Sequence, residues 1–245
     1  MAEQRLSRKA IRQPDQFIFF SVQVIDWIKA HLRYLIYGAL GMLVIAALLT
    51  WWSAWQKHRE QQAEMALYEA TKLMNVTTVR PTHRSQAIER FQKLVSDYGS
   101  TPAAAVAYWH LGHLYFEGGE YTAALAAYKQ AQQRFTKSSQ PLMLALVTLD
   151  VGYAQEASGA CDQALTSFEA VLQLPAHWLR GEAYLGMGRC HEGTGVPHKA
   201  VAIYERALSD GEVNEMARQA ISEHLAFLQP RTKEQGQEAL PVNKP

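Results

Sequence analysis

His110 and His113 stand three residues apart, a spacing that sets two imidazoles on one side of a helix and suits a metal ion. Asp150 and Glu156, downstream, add carboxylates that resemble the partners of acid–base chemistry. Zinc requires three or four converging ligands, and the sequence offers no third one near the histidines. No Gly-rich phosphate loop, paired zinc-binding cysteines or nucleophile motif occurs. Cys161 and Cys190 are too few for a disulfide framework. They read as two buried reduced thiols, and one bridge stays open as an alternative in an oxidising compartment. The expectation is a non-enzyme with no catalytic, cofactor or metal residues.

The elements that must carry these side chains repeat. Residues 105–131, AVAYWHLGHLYFEGGEYTAALAAYKQA, place Tyr108, Leu111, Gly112 and Tyr115 on a first helix, Gly118 and Gly119 in a turn, and Tyr121, Ala124, Tyr128 and Ala131 on a second. This matches the tetratricopeptide pattern, in which small residues let two helices approach and large ones fill the gaps. Thr148, Val151, Gly152, Gly159, Ala164, Phe168 and Val171 form a second unit; Tyr184, Met187, Gly188, Gly195, Ala200, Tyr204 and Ala207 form a third. Successive units lie 40 and then 36 residues apart, which predicts stretched loops at 138–141 and 175–177. Residues 87–102 read as the second helix of a degenerate repeat whose first helix is 61–75. Residues 214–228 carry an apolar stripe suited to capping the stack. The polar, proline-bounded tail 230–245 reads as disordered.

In such units the first helices line a groove. By that register the groove collects Trp109, His110, His113 and Phe116, then Leu149, Asp150, Tyr153 and Glu156, then Leu185, Arg189 and Glu192. This mixture suits an extended or helical peptide. The histidines read as groove lining rather than metal ligands, and an open groove does not exclude water as catalysis requires. The Lys, Asn and Arg clamp of adaptors for chaperone C-termini is absent, Arg189 being the one clear cation of the set.

Residues 34–56, YLIYGALGMLVIAALLTWWSAWQ, hold no charge. Twenty-three helical residues reach about 35 Å, enough to cross a hydrocarbon core of about 30 Å. Arg33 and Tyr34 flank one end, and Trp51, Trp52, Trp55 and Lys57 the other, as interfacial anchors do. The run is too long, too far from the start and too bulky at its end for a cleaved signal. Six basic residues before it, against Glu3, Asp15 and Asp26, leave +3. That bias predicts a cytoplasmic N-terminus and a translocated C-terminal domain. The remainder holds 18 basic and 20 acidic residues, a balance of −2 that gives no footprint for nucleic acid. A segment at 14–33 reads as an amphipathic helix lying at the headgroups or docking on a partner. The absence of Gly and Pro between residues 42 and 80 predicts that the span continues to Asn75 as a strut of about 60 Å, with a hinge at 56–62 as the alternative.

The expected chain is thus all-α: a basic segment with a juxtamembrane helix (1–33), one transmembrane helix (34–56), a strut and degenerate repeat (57–104), three repeats with a cap (105–229) and a tail (230–245). The ending DWIKAHLRYLI of the basic segment, the span, the continuation HREQQAEMALYEATKLM and the repeats together resemble the YfgM family. The resemblance implies a single-pass bacterial inner-membrane protein with a periplasmic solenoid, associated with the Sec translocon and periplasmic chaperones. The expected partners are therefore proteins and membrane lipid, with the oligomeric state open. Proteins of similar layout are accessory or assembly subunits of respiratory, photosynthetic or cytochrome c assembly complexes, and a cytosolic import receptor is the topological rival.

Overall fold

The computed structural model describes residues 16–75 and 81–238. Within them lie nine α-helices, one short 3-10 turn and no strand: α1 (Gln16–Asn75), α2 (Pro81–Asp97), α3 (Pro102–Glu117), α4 (Tyr121–Lys137), α5 (Pro141–Ala157), α6 (Cys161–Leu172), the turn His177–Leu179, α7 (Arg180–Gly193), α8 (Pro197–Ser209) and α9 (Glu215–Glu238). The chain divides into two compact units, residues 1–58 and 59–245.

In the first unit every residue from 25 to 58 is exposed. Among the described residues α1 is the one helix long and apolar enough to cross a membrane, by length and composition. Leu43, Ile45, Leu49 and Trp51 are each about three-fifths exposed, and Gly38 and Gly41 face open space. Pro14 and Asp15, the expected helix start, lie outside the described residues.

The second unit is a stack of helix pairs. α3 packs on α4, α5 on α6 and α7 on α8, while α2·α3, α4·α5, α6·α7 and α8·α9 join one pair to the next. Glycine sets the spacing inside each pair. A Cβ on Gly112 would run into the ring of Tyr128, one on Gly152 into Phe168, and one on Gly188 into Tyr204. Those three rings are almost completely buried, each contributing roughly 1.5–3 kcal/mol of burial. Ala124, Ala131, Ala164, Ala200 and Ala207 are fully buried on the second helices, where a larger side chain has no room. Gly119, Gly159 and Gly195 turn each pair back on itself with φ of +75°, +81° and +73°, a region that costs an L-residue its Cβ contacts. Pro102, Pro141 and Pro197 open α3, α5 and α8 at the first helical position, where no backbone donor is required.

Three boundaries differ from the sequence reading. The extra residues of the 40-residue spacing enter α4, which extends to Lys137, so that only 138–140 separate it from α5. The degenerate repeat's second helix starts at Pro81 rather than 87, because Pro81 supplies a helix start. Near the C-terminus α9 continues through Pro230 to Glu238, so 230–238 is helical rather than disordered. Its Lys, Glu and Gln residues are good helix formers and carry the helix past the proline. Residues 239–245 lie outside the described residues.

Arginines close the exposed helix ends. Arg84 donates from Nε to the Leu114 carbonyl at 2.7 Å and from Nη2 to Glu120 at 2.7 Å, sealing the C-terminus of α3. At the other end of the stack, Arg218 on α9 donates to the carbonyls of Leu208, Asp210 and Val213 and so terminates α8. Arg180 holds Asp210 and the Leu172 carbonyl. Among these acceptors the Leu114, Leu172 and Leu208 carbonyls lie in the last turns of α3, α6 and α8, where a helix leaves its carbonyls without an internal partner.

Candidate functional site

The first helices α3, α5 and α7 bring nine of the eleven expected groove residues to partly exposed positions. The other two, Leu149 and Leu185, are only 5% and 7% exposed and belong to the core. They occupy the same repeat position as Trp109. Trp109 carries an indole N–H that must find an acceptor and stays at the surface; the leucines have no polar atom to keep there.

Seven of the nine form three links along the stack. In the first, Asp150 on α5 gathers two side chains from α3. Trp109 Nε1 donates to Asp150 Oδ2 at 2.6 Å, and His113 Nε2 lies 3.5 Å from the same oxygen. The His113 ring stands edge-on to Trp109 at 5.0 Å, and its Nδ1 shares a hydrogen bond of 3.1 Å with the Tyr128 hydroxyl. Burial raises the Asp150 carboxyl above its ordinary range, against the opposing pull of His113 and the Trp109 N–H.

In the second link Arg189 on α7 donates from Nε and Nη2 to the two oxygens of Glu156 on α5, at 2.7 and 2.8 Å. Its guanidinium lies 5.6 Å from the Tyr153 ring centre, and the Tyr153 hydroxyl donates to Glu182 on α7 at 2.8 Å. In the third, Glu192 accepts the Tyr204 hydroxyl of α8 at 2.5 Å and lies 3.1 Å from His224 Nδ1 of α9.

Phe116 turns toward Tyr121 of its own repeat, with ring centres 5.4 Å apart. His110 departs from its neighbour: it stacks on Phe91 of α2 at 5.3 Å, while His113 points to Asp150. Burial, and then the proximity of His113, lower its pKa to about 4, so it is neutral at physiological pH. The two histidines therefore serve different neighbours. Among the described residues no three His, Cys, Asp or Glu side chains come together so as to hold a metal ion.

The carboxylates of Asp150, Glu156 and Glu192 each accept hydrogen bonds from their neighbours, which fixes their orientation. Such a surface offers aromatic edges and oriented charge, suited to recognition rather than proton transfer. Sequence reasoning missed Glu182, Tyr128, Tyr204 and His224. Glu182 was within reach of the repeat register, since it lies on the first helix of the third unit. Tyr128 and Tyr204 were assigned to packing alone, and nothing in the repeat pattern points to His224, which comes from the cap.

The family model described as a tetratricopeptide repeat-like domain matches residues 26–229. No curated protein matches the chain. Among solved structures, the MamA protein shares 25% identity with a TM-score of 0.50, over 62% of this chain and 75% of that one. A Podosopora anserina putative kinesin light chain with nearly identical TPR-like repeats shares 17% identity with a TM-score of 0.53, over 75% of this chain and 90% of that one. This second likeness shows a shared fold alone.

Proposed function

The chain belongs to the tetratricopeptide repeat-like domain family, and from that premise we propose a membrane-anchored scaffold that binds protein segments along the face of α3, α5 and α7. Repeats of this kind serve protein–protein interaction. The observation that carries the reading is the row of three links, Trp109–Asp150, Tyr153–Glu182 with Arg189–Glu156, and Glu192–His224, which presents aromatic and charged groups in fixed orientation along successive repeats. A partner segment lying along that row meets a surface whose side chains are already ordered, so less entropy is lost on binding.

The charge-free run 34–56, flanked by Arg33 and Lys57, serves in this proposal as a permanent anchor in the bacterial inner membrane. The basic segment before it stays cytoplasmic, and the solenoid works in the periplasm beside the Sec translocon and its chaperones. Fusion of alkaline phosphatase to Pro245 tests the placement: active phosphatase supports it, and silence with an active cytoplasmic reporter overturns it. A photo-crosslinking residue at Phe116 or Tyr153 then tests the face. Crosslinks to translocon subunits or periplasmic chaperones, absent when the probe sits at exposed Lys129 on α4, support the groove. Equal crosslinking from Lys129 overturns it.

A second reading, a stoichiometric subunit of a large membrane complex, draws on Trp27, Ile28 and Leu32, which stand exposed on α1 ahead of the charge-free run. Gentle detergent purification separates the two: one complex in equal stoichiometry favours the subunit, and substoichiometric chaperones favour the scaffold.

A further inference from the structure

The start of α3 and the end of α4 border a cavity of about 580 Å³. None of the residues in the three links of the α3, α5 and α7 face lines it. Its volume falls within the roughly 300–1,000 Å³ of ordinary ligand pockets. Gln130, Gln133, Arg134 and Lys137 line it from one stripe of α4, at helical spacings of three and four residues. Ser100 and Gln140 line it from the turns before α3 and after α4. No Asp or Glu is among the lining residues.

Neutral partners hold Arg134 in place. Its Nη1 donates to Gln130 Oε1 at 2.8 Å and to the Gln130 carbonyl at 3.2 Å, and its guanidinium carbon lies 4.4 Å from the centre of the Tyr108 ring. Arg84, Arg180, Arg189 and Arg206 each pair with a carboxylate. Among the described residues neither Arg134 nor Lys137 does. The cavity thus holds two cations whose charge no carboxylate of the described residues offsets, and one of them is already oriented. Gln133, Gln140 and Ser100 surround them with exposed amide and hydroxyl groups.

We propose that this cavity binds an acidic peptide segment of a partner protein, with a carboxylate on Arg134 and Lys137 and the peptide groups on the glutamine amides. A guanidinium braced against a ring presents its edge for two parallel hydrogen bonds to a carboxylate. Lys137, one turn along α4, adds a second charge without fixed geometry. Glutamine amides carry both a donor and an acceptor, so they pair with a main chain of any sequence. A bare phosphate would use the cations and leave the amides and most of the volume empty. The site stands independently of the α3, α5 and α7 face, and a partner that engages both gains from the linkage of two contacts.

The test titrates the full chain in detergent micelles against a hexaglutamate peptide, labelled with fluorescein at its N-terminus and amidated at its C-terminus, and follows fluorescence anisotropy. The peptide should bind, weaken as salt rises, and be displaced by unlabelled hexaglutamate but not by equal concentrations of hexaglutamine or inorganic phosphate. Arg134→Gln combined with Lys137→Gln should weaken binding about tenfold. Lys137→Gln alone, at an exposed position, should weaken it about threefold and keeps the test informative if the double variant fails to fold. Lys129→Gln, exposed on the same helix but outside the cavity, should leave binding unchanged. Absence of binding overturns the proposal, as does equal affinity in the Lys137→Gln chain and the unmodified one. Displacement by inorganic phosphate makes the cavity a site for simple anions and overturns it too. Binding lost in Arg189→Ala and kept in the Arg134 and Lys137 variants puts the acidic peptide on the α3, α5 and α7 face instead, with the same consequence.

Discussion

Arg189 and Glu156 meet through two parallel hydrogen bonds of 2.7 and 2.8 Å, one residue on α7 and the other on α5, and so join the third repeat to the second. The pair sits at repeat positions that hold His113 and Phe116 in the first unit. The same register thus holds two ring side chains, turned to different neighbours, in the first unit and an ion pair across the next two. Each side chain is partly exposed, at 35% and 21%, so water screens the charge but leaves the two-pronged geometry intact.

Arg189→Ala should therefore lower the unfolding free energy by about 1–2 kcal/mol in urea titration, since a bidentate charge-assisted contact is lost while Glu156 can rehydrate. Arg189→Lys should recover less than half of that loss, because an ammonium cannot pair with both oxygens in parallel. Full recovery by lysine would show that charge alone, and not the fork geometry, holds the junction.

Gly188→Ala should cost about 1–3 kcal/mol, because the new methyl would overlap the buried Tyr204 ring. Gly193→Ala at the end of the same helix meets no atom within 4 Å and should leave stability unchanged or slightly higher. Thermal melts of the two variants check the contrast. Equal behaviour would mean that α7 and α8 can slide apart to accept a side chain.

The glycines and their facing rings were legible because each pairs within one repeat and recurs at a fixed offset: Gly112 with Tyr128, Gly152 with Phe168, Gly188 with Tyr204. The exposure of the expected groove residues was legible only in part. The repeat register places His113, Tyr153 and Arg189 at partly exposed positions, yet register alone could not separate Trp109 from Leu149 and Leu185. Those three share one position, and the presence of a polar atom decides which stays at the surface. Partners supplied from outside the repeat left no trace in the pattern. His224 reaches Glu192 from the cap, and Arg84 reaches the Leu114 carbonyl from the degenerate repeat.

Arg218 offers a test of the cap. Its guanidinium donates to three backbone carbonyls at and beyond the end of α8, so Arg218→Leu leaves those acceptors to water and should cost about 1–3 kcal/mol. Contacts in a solenoid run between neighbours, which localises the damage. Hydrogen exchange should quicken in α8 and α9 and stay unchanged in α3 and α4. Uniform quickening along the stack would show instead that the repeats unfold as one unit.

His110 gives the stack a defined acid sensitivity. Its pKa in the fold is about 4, lowered from 6.5 chiefly by burial against Phe91 and then by His113. Between those values the unfolded chain binds a proton that the folded chain does not, so the contribution of His110 is complete above pH 6.5 and is lost as pH falls toward 4. Because the ring is partly exposed, the loss is discounted to about 2 kcal/mol. His110→Phe keeps a ring against Phe91 and removes the titration. Melting temperatures taken from pH 7.5 down to 4.5 should fall more steeply for the unmodified chain than for the variant, the difference opening below pH 6.5. Parallel curves would show that His110 binds its proton equally well in the folded and unfolded chain, so that its packing on Phe91 does not disfavour the charged ring.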